Sequence, residues 1–130
     1  MDLDAARDFV RENHRAVLTT RRANGDPQLS PVVCGVDAQG RVAVSTRETA
    51  LKVKNLRRDP RASLCVLNDG FFGEWTQIDG TTEIVAMPDA LDGLKDLYRQ
   101  VAGEHPDWED YAAAMARDRR VLLLSSIDDD

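Results

Sequence analysis

A small antiparallel β-barrel with peripheral helices, a mainly β member of the α+β class, is the fold this sequence predicts. Three observations point there. About six runs have strand character, most are joined by hairpin turn signals, and the regular strand–helix alternation of a doubly wound sheet is missing. The length of 130 residues corresponds to one ordinary domain, residues 1–130. An apolar content of 42% is enough for a core without disulfides.

The elements follow in order. Residues 2–13 carry Leu3, Ala6, Phe9 and Val10 on a helical stripe, with Asp2 or Asp4 placed to cap its start. Residues 16–20 read as a strand, and Asn24-Gly25 is a hairpin signal. The chain returns over residues 28–36, where Pro31 predicts an edge strand or a bulge, because proline cannot donate to a ladder. After a turn at residues 37–40, residues 41–46 form a third strand. The period then changes: Leu51, Val53 and Leu56 mark a short helix within residues 48–58, with Thr49 as its cap and Asp59-Pro60 as its stop. Residues 61–67 are a strand, 68–70 a turn, and 74–87 a long strand run broken at Asp79-Gly80. Residues 88–101 and 106–115 predict two helices, the first closed by Gly103 and the second opened by Pro106. Residues 121–127 give a last strand, before an acidic tail at residues 128–130 that predicts fraying.

Composition excludes several function classes. Asp and Glu number 23 against 17 Lys and Arg, so the chain lacks the basic footprint of a general nucleic-acid binder. Cys34 and Cys65 lie inside apolar runs and read as small hydrophobes in strands. With two histidines and no paired cysteine motif, a metal site lacks ligands. No stretch has the length of a membrane span, and the start lacks a secretory pattern, so a cytoplasmic location is expected.

Charge carries the most information. Residues 41–61 hold seven basic side chains (Arg41, Arg47, Lys52, Lys54, Arg57, Arg58, Arg61) against Glu48 and Asp59, a local +5 in a molecule of −6. A basic island in an acidic protein attracts a discrete anion rather than a long polyanion. Ser45, Thr46 and Arg47 end a strand, and a helix begins soon after. Hydroxyls, an arginine, a helix N-terminus and Lys52 together describe a phosphate cradle. A merely solvated helix face accounts for Lys54, Arg57 and Arg58, but less well for Ser45, Thr46 and Lys52. Gln28 and Ser30 alternate on one strand face, so they point the same way. Trp75 follows a Gly-Phe-Phe-Gly turn and is a candidate for lining the site. His14, His105, Trp108 and Tyr111 read as structural.

The stretch from Lys52 through Asn55 to Ser63 (KVKNLRRDPRAS) resembles the split-barrel flavin and deazaflavin oxidoreductases of the pyridoxamine-phosphate-oxidase-like superfamily. Within it, the resemblance is to the branch that uses the deazaflavin coenzyme F420. The pieces GDPQLSP at residues 25–31, Gly80-Thr81, AGEHPDW at 102–108 and RRVLL at 119–123 agree, in the expected order along the chain. The resemblance implies a six-stranded antiparallel split barrel and a homodimer with cofactor sites between subunits. It places the cofactor phosphate at Ser45 and Lys52, a further cofactor contact at Asn55, ring contacts at Gln28 and Ser30, and a pocket-covering aromatic near Trp75. Pro31 stands where some relatives carry a polar side chain. Ala50 stands where some carry arginine, with Arg47 as the nearest replacement.

The function implied is hydride transfer between the deazaflavin and a small unsaturated organic substrate, with no dedicated catalytic residue, since the chemistry resides in the cofactor. An FMN-dependent enzyme on the same scaffold and a non-catalytic F420 carrier are the alternatives; neither nucleic acid nor membrane is an expected partner.

Overall fold

Helical and strand periodicities sort as the sequence indicates. The structure, a computed structural model, describes residues 2–128. Its elements are α1 (Leu3–Glu12), β1 (Arg15–Arg21), β2 (Pro27–Val36), β3 (Val42–Arg47), α2 (Leu51–Arg58), β4 (Arg61–Leu67), β5 (Trp75–Ala86), α3 (Leu91–Ala102), α4 (Trp108–Arg117) and β6 (Arg120–Ser125). The strands close into a barrel in the order β1-β2-β3-β6-β5-β4, every neighbouring pair antiparallel. None of the helices is long and apolar enough to cross a membrane.

Two strands serve both halves of the barrel. Residues 27–33 of β2 pair with β1, and only residues 34–36 pair with β3. Pro31 therefore sits where β2 has an unpaired side, which is the edge position its missing N–H requires. On the far side, β5 pairs with β4 through Thr81 and with β6 from Thr82 onward. The run expected to break at Asp79-Gly80 is instead one continuous strand. Gly80 lies next to that handover, and a Cβ there would overlap the Ser126 carbonyl oxygen.

The barrel interior is filled by alternating strand residues, among them Leu18, Val42, Leu64, Val66, Ile78, Val121 and Leu123, and is closed by Val10 of α1, where β1 begins, and by Val53 and Leu56 of α2, where β1 ends. A second cluster forms outside, where Leu94 and Leu97 of α3 and Tyr111 of α4 cover Ala43, Leu122 and Leu124 on β3 and β6. Gln100 ties α3 to β2: its amide accepts from Val36 N–H at 2.8 Å and donates to Val36 C=O at 2.9 Å, as a neighbouring strand would.

The helix caps differ from expectation in two places, at α2 and at α4, which starts at Trp108 behind Asp107 and leaves Pro106 outside the helix. Asp2 caps α1 through Ala5 N–H at 2.7 Å and Asp107 caps α4 through Asp110 N–H. The cap of α2 is Ala50 and not Thr49, because residues 48–50 are used in a turn that hangs Glu48 N–H on the Arg119 carbonyl. Its first turn thus has no side-chain cap. Cys34 is buried, and its burial pushes the thiol up to about 12, which makes it an inert core residue as expected. His14 reaches the Cys34 carbonyl at 2.9 Å and is likewise structural. Of the tail, Asp128 donates its N–H to Asp79 C=O, while Asp129 and Asp130 lie outside the described residues.

Candidate functional site

Antiparallel register places residues distant in sequence side by side. On β3 and β6 it sets Ser45 opposite Leu122 and Arg47 opposite Arg120. Leu122 belongs to the cluster under α3 and α4, so Ser45, and with it the alternate positions Arg47 and Arg120, project from the same sheet face. Between that face, the unpaired part of β2, the start of α2 and the α3–α4 hairpin lies a groove of about 680 Å³. Ligand sites in proteins span roughly 300–1,000 Å³.

One end of the groove is cationic. Ser45, Thr46, Lys52 and Arg120 line it together. Burial lowers the pKa of the Lys52 ammonium, and the nearby positive charge of Arg120 lowers it further. Two cations thus press on each other in a partly desolvated cleft. Among the described residues neither Lys52, Arg120 nor Arg47 makes an ion pair, although ten other pairs form across the surface. Arg120 Nε is in addition a buried nitrogen without a hydrogen-bond partner. A buried donor left unmade costs about 1–3 kcal/mol, so a site that keeps one is built for an acceptor brought from outside.

The other walls are apolar and aromatic. Pro31 and Val33 form the β2 rim, Leu97 and Val101 the α3 side, and Tyr98, His105 and Tyr111 the α3–α4 corner.

Of the sequence-predicted residues, the groove gathers Pro31, Ser45, Thr46 and Lys52. Arg47 lies on the same face and is exposed, outside the lining. Gln28 points toward Thr20, whose hydroxyl donates to its amide oxygen at 3.2 Å, and Ser30 keeps a buried hydroxyl with no partner; neither lines the groove. Asn55 is 2% exposed and is used by the fold: it donates to Thr20 Oγ1 at 3.1 Å and accepts from Arg58 at 3.1 Å. It borders a separate, more open depression with Arg22, Lys54, Arg57 and Arg58. Trp75 is 58% exposed on the outer sheet face and does not line the groove of its own chain. The sequence reading missed Arg120, which only strand register delivers, and gave His105 a structural role although it forms part of the wall.

Comparison with known proteins agrees with this architecture. Residues 3–126 match the family described as pyridoxamine 5'-phosphate oxidase. Among solved structures, a conserved hypothetical protein of Mycobacterium tuberculosis superposes with a TM-score of 0.81 at 24% identity, over 99% of this chain and 82% of that one. A protein described as an F420 reductase gives 0.71 at 18% identity, covering 94% and 92%. The heme storage protein HutZ of Vibrio cholerae gives 0.73 at 16% identity, covering 100% and 93%. At these identities the likeness establishes the shared split-barrel fold.

Proposed function

Because the chain belongs to the pyridoxamine 5'-phosphate oxidase family, we propose that the groove holds a phosphate-bearing redox cofactor, coenzyme F420, and that the protein is an oxidoreductase acting on a small unsaturated compound. The observation that carries this reading is the pair Lys52 and Arg120, two cations lining one cleft that make no ion pair among the described residues. A phosphate placed there takes charge-assisted hydrogen bonds from both, satisfies Arg120 Nε, and accepts from the Ser45 hydroxyl. The apolar walls then meet a planar ring system and exclude water from it.

The chemistry when the cofactor is bound is hydride transfer from the reduced ring. The chain's own residues bind, orient and desolvate. The F420 reductase among the structural relatives supports the choice of deazaflavin. FMN carries the same phosphate, and is the competing ligand the test must include. The heme-storage relative raises a third ligand, to which the His105 geometry is opposed. Its Nδ1 accepts from Asp107 N–H at 2.9 Å, so the neutral ring carries its hydrogen on Nε2, the nitrogen that would have to bind iron.

Titration of the purified protein with coenzyme F420 and with FMN, followed by ligand fluorescence, tests the proposal. Saturable F420 binding that weakens with added salt is expected. Lys52→Met should weaken it by about tenfold or more, the worth of one charge-assisted bond. Reduced F420 should then be oxidised when an electron-poor acceptor is added. Binding without such oxidation would make the protein a carrier. Preference for FMN would change the cofactor, and failure of both ligands to bind would end the reading.

A further inference from the structure

The chain has three lysines, and of these only Lys52 lines the groove. Lys54 is exposed on α2, and the Lys95 ammonium lies 5.9 Å from the centre of the Trp108 ring. Lys52 has different surroundings. It is half-buried on the first turn of α2, Arg120 of β6 lines the same cleft, and no carboxylate pairs with it among the described residues. Asp110, the one carboxylate of the lining, pairs with neither cation. Burial and then Arg120 disfavour the ammonium form, which leaves a larger share of this side chain as free amine. A lysine attacks only as the free amine, and desolvation beside a second cation is one of the ways in which it is activated.

The neighbours of such an amine decide what it meets. Arg120 Nε is buried without a partner, and Ser45 projects from the same sheet face, so an anion has contacts that do not involve Lys52. We propose that Lys52 captures short phosphorylated aldehydes as a reversible imine, their phosphate held by Arg120 and Ser45. The amine nitrogen attacks the carbonyl carbon and a carbon–nitrogen double bond forms. The carbonyl oxygen leaves as water, taking both amine hydrogens with it. Nothing is oxidised or reduced, no further reactant is needed, and water reverses the step. Both ends of the ligand matter: an uncharged aldehyde lacks the anchor, and a phosphate without a carbonyl lacks the bond. Capture rests on the phosphate contacts of the proposed function but not on its redox chemistry. The aldehyde and the cofactor exclude one another, since each places a phosphate on Arg120.

The test treats cofactor-free protein with glyceraldehyde 3-phosphate and sodium cyanoborohydride, which fixes the imine as a secondary amine. Peptide mass spectrometry then locates the label. Trypsin should pass a labelled Lys52 and release the peptide of residues 48–54, with Lys54 and Lys95 as internal controls. Lys52 should be labelled about tenfold faster than either, and about tenfold faster than by unphosphorylated glyceraldehyde, as expected for one charge-assisted contact. Inorganic phosphate should protect Lys52 and leave the two controls as they were. A folded Arg120→Met variant should bring the rates of the two aldehydes at Lys52 within about twofold of each other. Protection by phosphate is read in the wild type, so the outcome does not depend on how the variant folds. Equal labelling of the three lysines, equal rates for the two aldehydes in the wild type, or labelling that phosphate leaves untouched overturns the capture. The cofactor reading fails differently: neither F420 nor FMN would bind, while phosphate-protected labelling of Lys52 would persist. Bound F420 with an unreactive Lys52 in the cofactor-free protein would end the capture alone.

Discussion

Lys52 and Arg120 hold each other in an unfavourable state, and that state is measurable without any ligand. Lys52 titrates below the ordinary lysine range because burial and then Arg120 disfavour its charge. The unfolded chain binds this proton more tightly than the folded one, so the unliganded protein should gain stability as pH rises through the window between the lowered and the ordinary lysine pKa. Phosphate affinity should fall over the same window, since the charge it needs is being lost. In Lys52→Met both trends should vanish, and thermal melts against pH together with cofactor titrations check this. The same variant removes a like-charge contact and should leave the unliganded fold no less stable, or more stable by about 0.5 kcal/mol, while binding weakens. Sequence made half of this pair legible. Ser45, Thr46 and Lys52 sit in one charged segment, but Arg120 is one of two adjacent arginines. Arg119, at φ 55°, turns to Glu48 at 3.1 Å, whereas Arg120 enters the groove. Strand alternation decides between them, and it depends on a register that local sequence does not contain. Asn55 failed to join the groove for a related reason: a polar residue on a basic helix looks the same whether it meets a ligand or, as here, bridges Thr20 and Arg58 inside the fold.

At the scale of elements, the strands were readable because period-two alternation and turn residues are local signals, whereas the handover of a strand between two partners is not. Asp79-Gly80 read as a break because glycine weakens a strand. In the folded chain that glycine permits the close approach of the Ser126 backbone. Gly80→Ala should therefore cost about 3 kcal/mol, by the overpacking route, since the obstructing atom belongs to backbone and cannot rotate away. Denaturant melts would show this, and a loss below about 1 kcal/mol would mean that the crossing relaxes freely. The helix above the groove is fixed by a different device. Gln100 copies a strand's hydrogen bonding to Val36, and the residue before it on β2, Gly35, leaves no room for a side chain, with a Cβ there 2.7 Å from Gln100 Oε1. Gln100→Ala should lose about 1–3 kcal/mol, because two buried backbone groups lose their partners. Freed at this end, α3 should also relax the wall that carries Leu97 and Tyr98. Ligand affinity should then fall even though Gln100 touches no ligand, a coupling that calorimetry of the variant would reveal.

At the scale of the whole molecule, the four strands β2, β1, β4 and β5 present an outer face with no helix over it. Register lays Val33, Arg15, Leu67 and Trp75 in one row across it, with Pro31, Val17, Cys65 and Gln77 in the next. Leu29, Val33 and Trp75 are 60%, 52% and 58% exposed, and Phe72 in the adjoining hairpin is 93% exposed. An apolar face of this kind on a charged chain is expected at an interface, and the expected partner is a second copy of the chain. Trp75 bears on the same point. Three strand spacings, about 14 Å, separate it from Val33 on the groove rim of its own chain, so the groove it is expected to cover is that of a second copy. Val33→Glu should then do two things at once. Sedimentation should shift the protein from dimer to monomer, and cofactor affinity should fall, because Val33 borders both the face and the groove. Trp75→Ala separates these effects. In the dimeric protein it should weaken cofactor binding severalfold, and in the Val33→Glu background it should change nothing further. Additive losses in the double variant, or a wild type that sediments as a monomer with full affinity, would show that each chain completes its site alone.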